Sequence, residues 1–157
     1  MTGLEFCPLS AALLHQVLGG APDVLSGAYA GGQVAALLAM AAPQTWREVL
    51  LLHGRPLAAF GFWPLWPGRA EAWMVSVADA GPRILTAATR RCAERLRALQ
   101  ASDPALHRVE MWVNADAPWR ESFARCLGMT QEGHARAWGP DGADHVLYAR
   151  IADREAA

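Results

Sequence analysis

The residues best placed to do chemistry lie in the turn Val77-Ala78-Asp79-Ala80-Gly81-Pro82-Arg83. It joins an apolar run, Glu71–Val77, to a long amphipathic run that ends near Leu99. The first N–H groups of a helix lack internal partners, and the helix dipole favours negative charge there. A helix that opens directly behind a buried strand is therefore a ready site for a phosphate or pyrophosphate. Gly81 suits the tight turn, Pro82 suits the first helical position, and Arg83 adds a cation. The same residues also fit an ordinary strand–helix connection with Arg83 in solvent. Two carboxylates, Glu71 and Glu110, stand in apolar strand-like runs. A carboxylate flanked by apolar residues has a raised pKa and can act as a base, directly or through water. The alternatives are a strand-end surface charge for Glu71 and a solvent-facing or cross-strand-paired residue for Glu110.

Composition narrows the setting. The 157 residues suit one domain spanning 1–157 with a single buried core. Hydrophobic residues make up 53% and charged residues 18%, which describes a globular chain rather than a disordered one. The net charge is −1, and no basic run exists outside the helix over 84–99, so a nucleic-acid surface is not expected. Cys7, Cys92 and Cys126 are widely spaced and form no CxxC pair, which argues against disulfide scaffolds and zinc ribbons. Cys92 and Cys126 read as buried thiols on helix faces. The five histidines lack metal-ligand spacing, so no metal is expected. No signal-like or membrane-length apolar run is seen, and a soluble cytoplasmic protein without a membrane partner is the expectation.

The elements that must hold the turn follow in order. Leu4–Pro8 reads as a short strand, and Ser10 as the N-cap of a helix over Ala11–Leu18 stopped by Gly19-Gly20. Ala21–Ala30 is ambiguous, and Gln33–Ala42 has a helical stripe closed by Pro43. Trp46–His53 and Pro56–Trp63 predict an antiparallel hairpin about Gly54-Arg55, with Gly61 marking a bulge or a close backbone neighbour. Pro64 and Pro67-Gly68 turn the chain into the strand Glu71–Val77. In the helix from Pro82 to Leu99, the residues Leu85, Ala88, Cys92, Leu96 and Leu99 form an apolar stripe. Arg108–Asn114 is the next strand, so strand, helix and strand make a parallel βαβ unit. A short helix from Pro118 has Trp119, Phe123 and Leu127 on one face and Gly128 at its end. Met129–Trp138 and Asp144–Ile151 form a closing hairpin around Gly139–Ala143, and Ala152–Ala157 is expected to fray.

This order, with its details, resembles the GNAT superfamily of acetyl-CoA-dependent N-acyltransferases. Three segments carry the resemblance. Leu51–Trp63 (LLHGRPLAAFGFW) is similar to the family's glycine-bearing hairpin, and residues 71–99 are similar to its strand–loop–helix. Val109–Gly133 (VEMWVNADAPWRESFARCLGMTQEG) is similar to its strand-Asn-helix-LGF run, with Asn114 at the Asn and Leu127-Gly128-Met129 at the LGF. The fold class implied is α/β (α+β): a mixed, mostly antiparallel sheet with a central parallel βαβ pair and helices on both faces. In that family two parallel strands splay and the coenzyme's pantetheine arm lies in the gap. Carried over, Met74, Val75 and Val77 meet the pantetheine arm. Asp79, Ala80, Gly81 and Arg83 meet the pyrophosphate, and Asn114 stands near the splay. The departures are specific. The phosphate loop keeps one Gly, lacks the family's leading Arg, and gains Asp79, which repels phosphate, and Pro82, which removes an N–H. The Tyr that often precedes LGF is replaced by Ala124.

The resemblance implies acetyl transfer from acetyl-CoA to a primary amine, on a small molecule or a peptide, by direct attack. Such chemistry needs a base for the ammonium, a donor for the thioester oxygen and an acid for the leaving thiolate. Glu71 and Glu110 are the candidate bases, and Tyr148 in the last strand is the stand-in acid, unless it serves only as core. Asn114 either binds a ligand or caps the turn into the next helix. His134 and His145 can face each other across the closing hairpin. Trp63, Trp66, Trp73, Trp112, Trp119 and Trp138 line an acceptor groove, pack the core or form a subunit interface such as a homodimer. The weakened loop with a retained Asn-to-LGF run is also similar to acetyltransferase-like proteins of bacteriophage type. That opens the alternative of a non-catalytic structural or binding protein, with a virion location and a virion or other protein partner.

Overall fold

Seven strands hydrogen-bond in the order β1-β2-β3-β4-β5-β7-β6 in a computed structural model that describes residues 3–20, 46–139 and 142–152. The strands are β1 (Leu4–Pro8), β2 (Trp46–Leu52), β3 (Arg55–Trp66), β4 (Arg69–Ser76), β5 (Arg108–Asn114), β6 (Thr130–Ala135) and β7 (His145–Ile151). The helices among the described residues are α1 (Ala11–Gly19), α2 (Gly81–Ser102) and α3 (Pro118–Cys126). The sheet is mostly antiparallel, and β4 and β5 are parallel, as a strand–helix–strand crossover requires. The helix expected over Gln33–Ala42, the ambiguous Ala21–Ala30 and most of the C-terminal tail lie outside the described residues. The chain forms two units. One comprises the described residues up to Trp63 with Trp73–Ala88, the other Pro64–Ala72 with those from Thr89 onward.

In the first unit, β1 pairs with β2 and β2 with β3, and Val49, Leu50, Ala58, Ala59 and Phe60 are fully buried. Ser10 caps α1 as its sequence predicts, accepting from the Leu13 N–H at 3.2 Å. The β2–β3 hairpin turns on His53-Gly54, one residue earlier than expected. His53 (φ 50°) and Gly54 (φ 79°) are both left-handed, the geometry a two-residue hairpin loop needs to match strand twist. Gly61 is a close backbone neighbour: a Cβ there would stand 2.3 Å from the Trp46 carbonyl oxygen. The bulge lies elsewhere. Leu50 pairs with Ala58 and Leu51 with Pro56, leaving Leu57 as the extra residue. Pro64 is not a turn residue; β3 continues through it to Trp66.

In the second unit, Gly68 (φ 84°) turns the chain, and its carbonyl accepts from the N–H groups of His107 and Arg108 at 3.0 and 3.1 Å. That bond sets the start of β5 beside the start of β4. The parallel register then runs Arg69↔Arg108, Ala70↔Val109 and Glu71↔Glu110. On β5, Val109, Met111 and Val113 are buried, as their alternation predicts. β7 pairs with β5 along its full length and with β6, where Glu132 is the extra residue of a register shift between Gln131 and Gly133. Of the expected stripe of α2, Ala88, Cys92 and Leu96 are buried and Leu85 and Leu99 half-buried, with Ile84 and Ala93 buried beside them. On α3, Phe123 is buried, as is Leu127 just beyond its end, but Trp119 is 46% exposed and Cys126 is exposed. Neither belongs to the core; the buried residues of the helix are Phe123 and Ala124.

Candidate active site

The turn 77–83 lies in the first unit and is pinned by backbone bonds. The Val77 N–H donates to the Leu57 carbonyl at 2.9 Å, the Ala78 N–H to the Gly20 carbonyl at 2.9 Å, and the Ala80 N–H to the Val77 carbonyl at 3.2 Å. The bulge at Leu57 thus holds the end of β4, and glycine is needed at position 20, where a Cβ would meet Val77 Cγ1 at 2.9 Å. Val75, Val77 and Ala80 are buried and Met74 is half-buried; Asp79, Gly81, Pro82 and Arg83 are exposed. Gly81 has φ +69°, and nothing lies within 4 Å of where its Cβ would be. A 22-residue helix begins there. The N–H groups of Gly81 and Arg83 fall in its first turn, where a helix offers no internal acceptor.

Asp79 does not stand as a lone negative charge at this turn. Arg55, the first residue of β3, donates Nη1–H to Oδ2 and Nη2–H to Oδ1, both at 3.0 Å. The Arg55 hydrogen bond, opposed by burial, holds the Asp79 carboxyl below its ordinary value. The turn therefore presents open backbone donors, a helix N-terminus, the Arg83 side chain and an Asp79 whose charge is paired with Arg55. This donor set fits a pyrophosphate.

The proton-transfer candidates lie in the second unit. Glu71 is half-buried and stands beside Glu110 in the parallel register. Glu110 is 3% exposed. It accepts from Arg69 Nη2–H and, at 2.6 Å, from Arg108 Nε–H. Arg108 also forks onto Glu132 at 2.6 and 3.2 Å, and the Arg69 guanidinium lies 4.1 Å from the Trp66 ring centroid. Burial pushes the Glu110 carboxyl up, but the two arginines outweigh it and hold the carboxyl below its ordinary value. The raised pKa expected of an apolar surround is therefore reversed, and the cross-strand-paired alternative describes the residue. Asn114 Oδ1 accepts from the Asp116 N–H at 2.8 Å and its carbonyl from the Ala117 N–H at 3.2 Å, so it forms the turn into α3. The Tyr148 ring is 3% exposed. Burial, then the nearby Glu121 charge, raises its pKa, so the hydroxyl keeps its proton at neutral pH.

His134 and His145 do not face each other. His134 pairs with Val146 and His145 with Ala135, which puts them on opposite sheet faces. Among the described residues no group of three or more His, Cys, Asp or Glu can hold a metal ion. None of the helices among them is long and apolar enough to cross a membrane. Trp63 and Trp73 stack at 5.8 Å in the first unit, and Trp112 and Trp138 at 4.6 Å in the second. Arg55, Arg69 and Arg108 were not legible as site residues. A signal existed for two of them: Arg69-Ala70-Glu71 and Arg108-Val109-Glu110 repeat Arg-x-Glu on strands predicted to be parallel, which sets both pairs on one face.

No protein-family model matches the chain, and no curated protein is significantly similar to it. Solved structures are similar in fold. The ribosomal-protein-S18-alanine N-acetyltransferase from Escherichia coli superposes with a TM-score of 0.71 at 11% identity, over 98% of this chain and 96% of that one. A structure of yncA from Salmonella typhimurium with its cofactor acetyl-CoA gives 0.75 at 13% identity, over 99% and 98%. A GCN5-related N-acetyltransferase from Kribbella flavida gives 0.73 at 15% identity, over 95% and 98%. The element order, the parallel β4–β5 pair and these superpositions agree: the chain has the GNAT fold.

Proposed function

We propose that this protein is an N-acetyltransferase that uses acetyl-CoA and acetylates a primary amine on a small molecule or peptide. The observation that carries the reading is the turn in the first unit, where Gly81 opens the long α2 at positive φ with clear space before it. The coenzyme supplies the acetyl thioester. The N–H groups of Gly81 and Arg83 hold its pyrophosphate, and the backbone of Met74–Ser76 offers strand-like partners for the pantetheine amides, the Val77 N–H being taken by Leu57. Acetyl transfer forms a C–N bond as C–S breaks and needs a base for the ammonium and an acid for the thiolate sulfur; within the second unit Glu71 is the candidate base and the Tyr148 hydroxyl the candidate acid. Glu110 holds Arg69 and Arg108 in place, and Asn114 shapes the entry to α3. The E. coli protein, named for alanine N-acetylation, and the Salmonella protein, solved with acetyl-CoA, support the reading at the level of fold.

The test is mass-spectrometric detection of acetylated product from acetyl-CoA and a panel of amines and peptides, with Gly81→Glu as the control. The wild type should acetylate some members, and Gly81→Glu should remain folded and inactive. A second reading, a non-catalytic binding protein of GNAT fold, is favoured by one observation: Glu110 is locked by two arginines and is a poor base. Coenzyme binding without any acetylated product would support that reading instead.

A further inference from the structure

We infer that Arg55 is a coenzyme-binding residue that exchanges Asp79 for the pyrophosphate. This rests on the coenzyme-binding reading above. The turn 77–83 carries no arginine at its start, and it places a carboxylate, Asp79, two residues before the open Gly81. Arg55 comes from a different strand yet is held at this turn by backbone geometry. The left-handed His53-Gly54 pair delivers it, and two residues later the Leu57 carbonyl accepts from Val77 N–H at 2.9 Å. Its backbone is therefore kept beside the turn even when its ion pair opens.

The ion pair is built to exchange. Both N–H···O contacts are 3.0 Å, a two-pronged match, but the side chains are 61% and 63% exposed. An exposed pair contributes little, because water screens it and both side chains lose freedom. A pyrophosphate offers the same two-pronged acceptor geometry with more negative charge, the arrangement for which a guanidinium is best suited. Asp79 lies two residues before Gly81 in the same turn, so its partner Arg55 already stands at the segment that would hold the pyrophosphate.

The experiment is calorimetric titration of wild type, Arg55→Ala, Arg55→Lys and Asp79→Asn with coenzyme A, dephospho-coenzyme A and pantetheine. Melting temperature without ligand checks folding. Arg55→Ala should weaken coenzyme A and dephospho-coenzyme A about tenfold, the effect of one charge-assisted hydrogen bond, and leave pantetheine unchanged. Arg55→Lys should lose less. Asp79→Asn should bind coenzyme A more tightly than wild type, because it frees Arg55 and removes a like charge. Equal weakening by Arg55→Ala and Asp79→Asn would mean the pair is structural and would overturn the inference. So would an Arg55→Ala titration identical to wild type, or a penalty confined to coenzyme A and absent with dephospho-coenzyme A. Failure of the wild type itself to bind coenzyme A would instead overturn the coenzyme-binding reading on which the inference rests.

Discussion

Replacing Glu110 with glutamine probes the ion network under the parallel strands. The carboxylate is 3% exposed and accepts one charge-assisted hydrogen bond from Arg69 and one from Arg108. Hydrogen bonds to charged groups contribute about 1.5–3 kcal/mol each, and removing one member of a buried pair costs about 3–5 kcal/mol. Two features of the site reduce that cost. Arg108 keeps Glu132 as a second partner at 2.6 Å, and the glutamine oxygen still accepts one bond. Glu110→Gln should therefore lose about 2–3 kcal/mol at neutral pH by these measures, read from urea unfolding followed by tryptophan fluorescence. The carboxyl is depressed in the folded state, so the unfolded chain takes up its proton first as pH falls from about 4.5. Its contribution is full above that value and is lost as pH falls through the folded pKa. The gap between wild type and Glu110→Gln should accordingly narrow below pH 4.5. A variant as stable as wild type at pH 7, or a gap that stays constant into acid, would refute the reasoning.

Other consequences are local. Gly61→Ala places a Cβ 2.3 Å from the Trp46 carbonyl oxygen; parting β2 and β3 to relieve it should cost roughly 1–3 kcal/mol, measured by urea midpoint. Thiol labelling at neutral pH should modify exposed Cys126 first and buried Cys92 only on unfolding. Cys7, whose pKa is raised first by burial and then by Glu5 and Glu48, should react slowly and speed up as pH rises, as peptide mapping over time would show. Tyr148→Phe should keep its fold and lower kcat by about 10²–10⁴ if the hydroxyl is the acid, with kinetics on an acetylated amine as the measure; an unchanged kcat would remove Tyr148 from the mechanism.

Much of the fold was legible because its signals are local. β1 and β5 end where alternation and the flanking turns place them, and Ser10 caps α1 as its hydroxyl allows. Errors gathered where the deciding force is not local. His53 takes a left-handed conformation that glycine usually occupies, so the hairpin turned one residue early. Pro64 reads as a stop, yet β3 runs through it. Trp119 and Cys126 read as apolar helix positions yet are exposed, while Leu127, one residue past α3, is buried. The site was half legible. The strand–turn–helix is a pattern of neighbouring residues, and it was visible. The ion pair of Asp79 with Arg55 joins residues 24 positions apart and only the fold reveals it, whereas that of Glu110 with Arg69, 41 apart, left a trace in the repeated Arg-x-Glu.

The most direct measurement is thermal unfolding of the purified protein with increasing acetyl-CoA. A ligand at about 100 times its Kd stabilises the folded state by roughly 2.7 kcal/mol. The account predicts a saturable rise in Tm that Gly81→Glu abolishes. No rise at millimolar acetyl-CoA would contradict it.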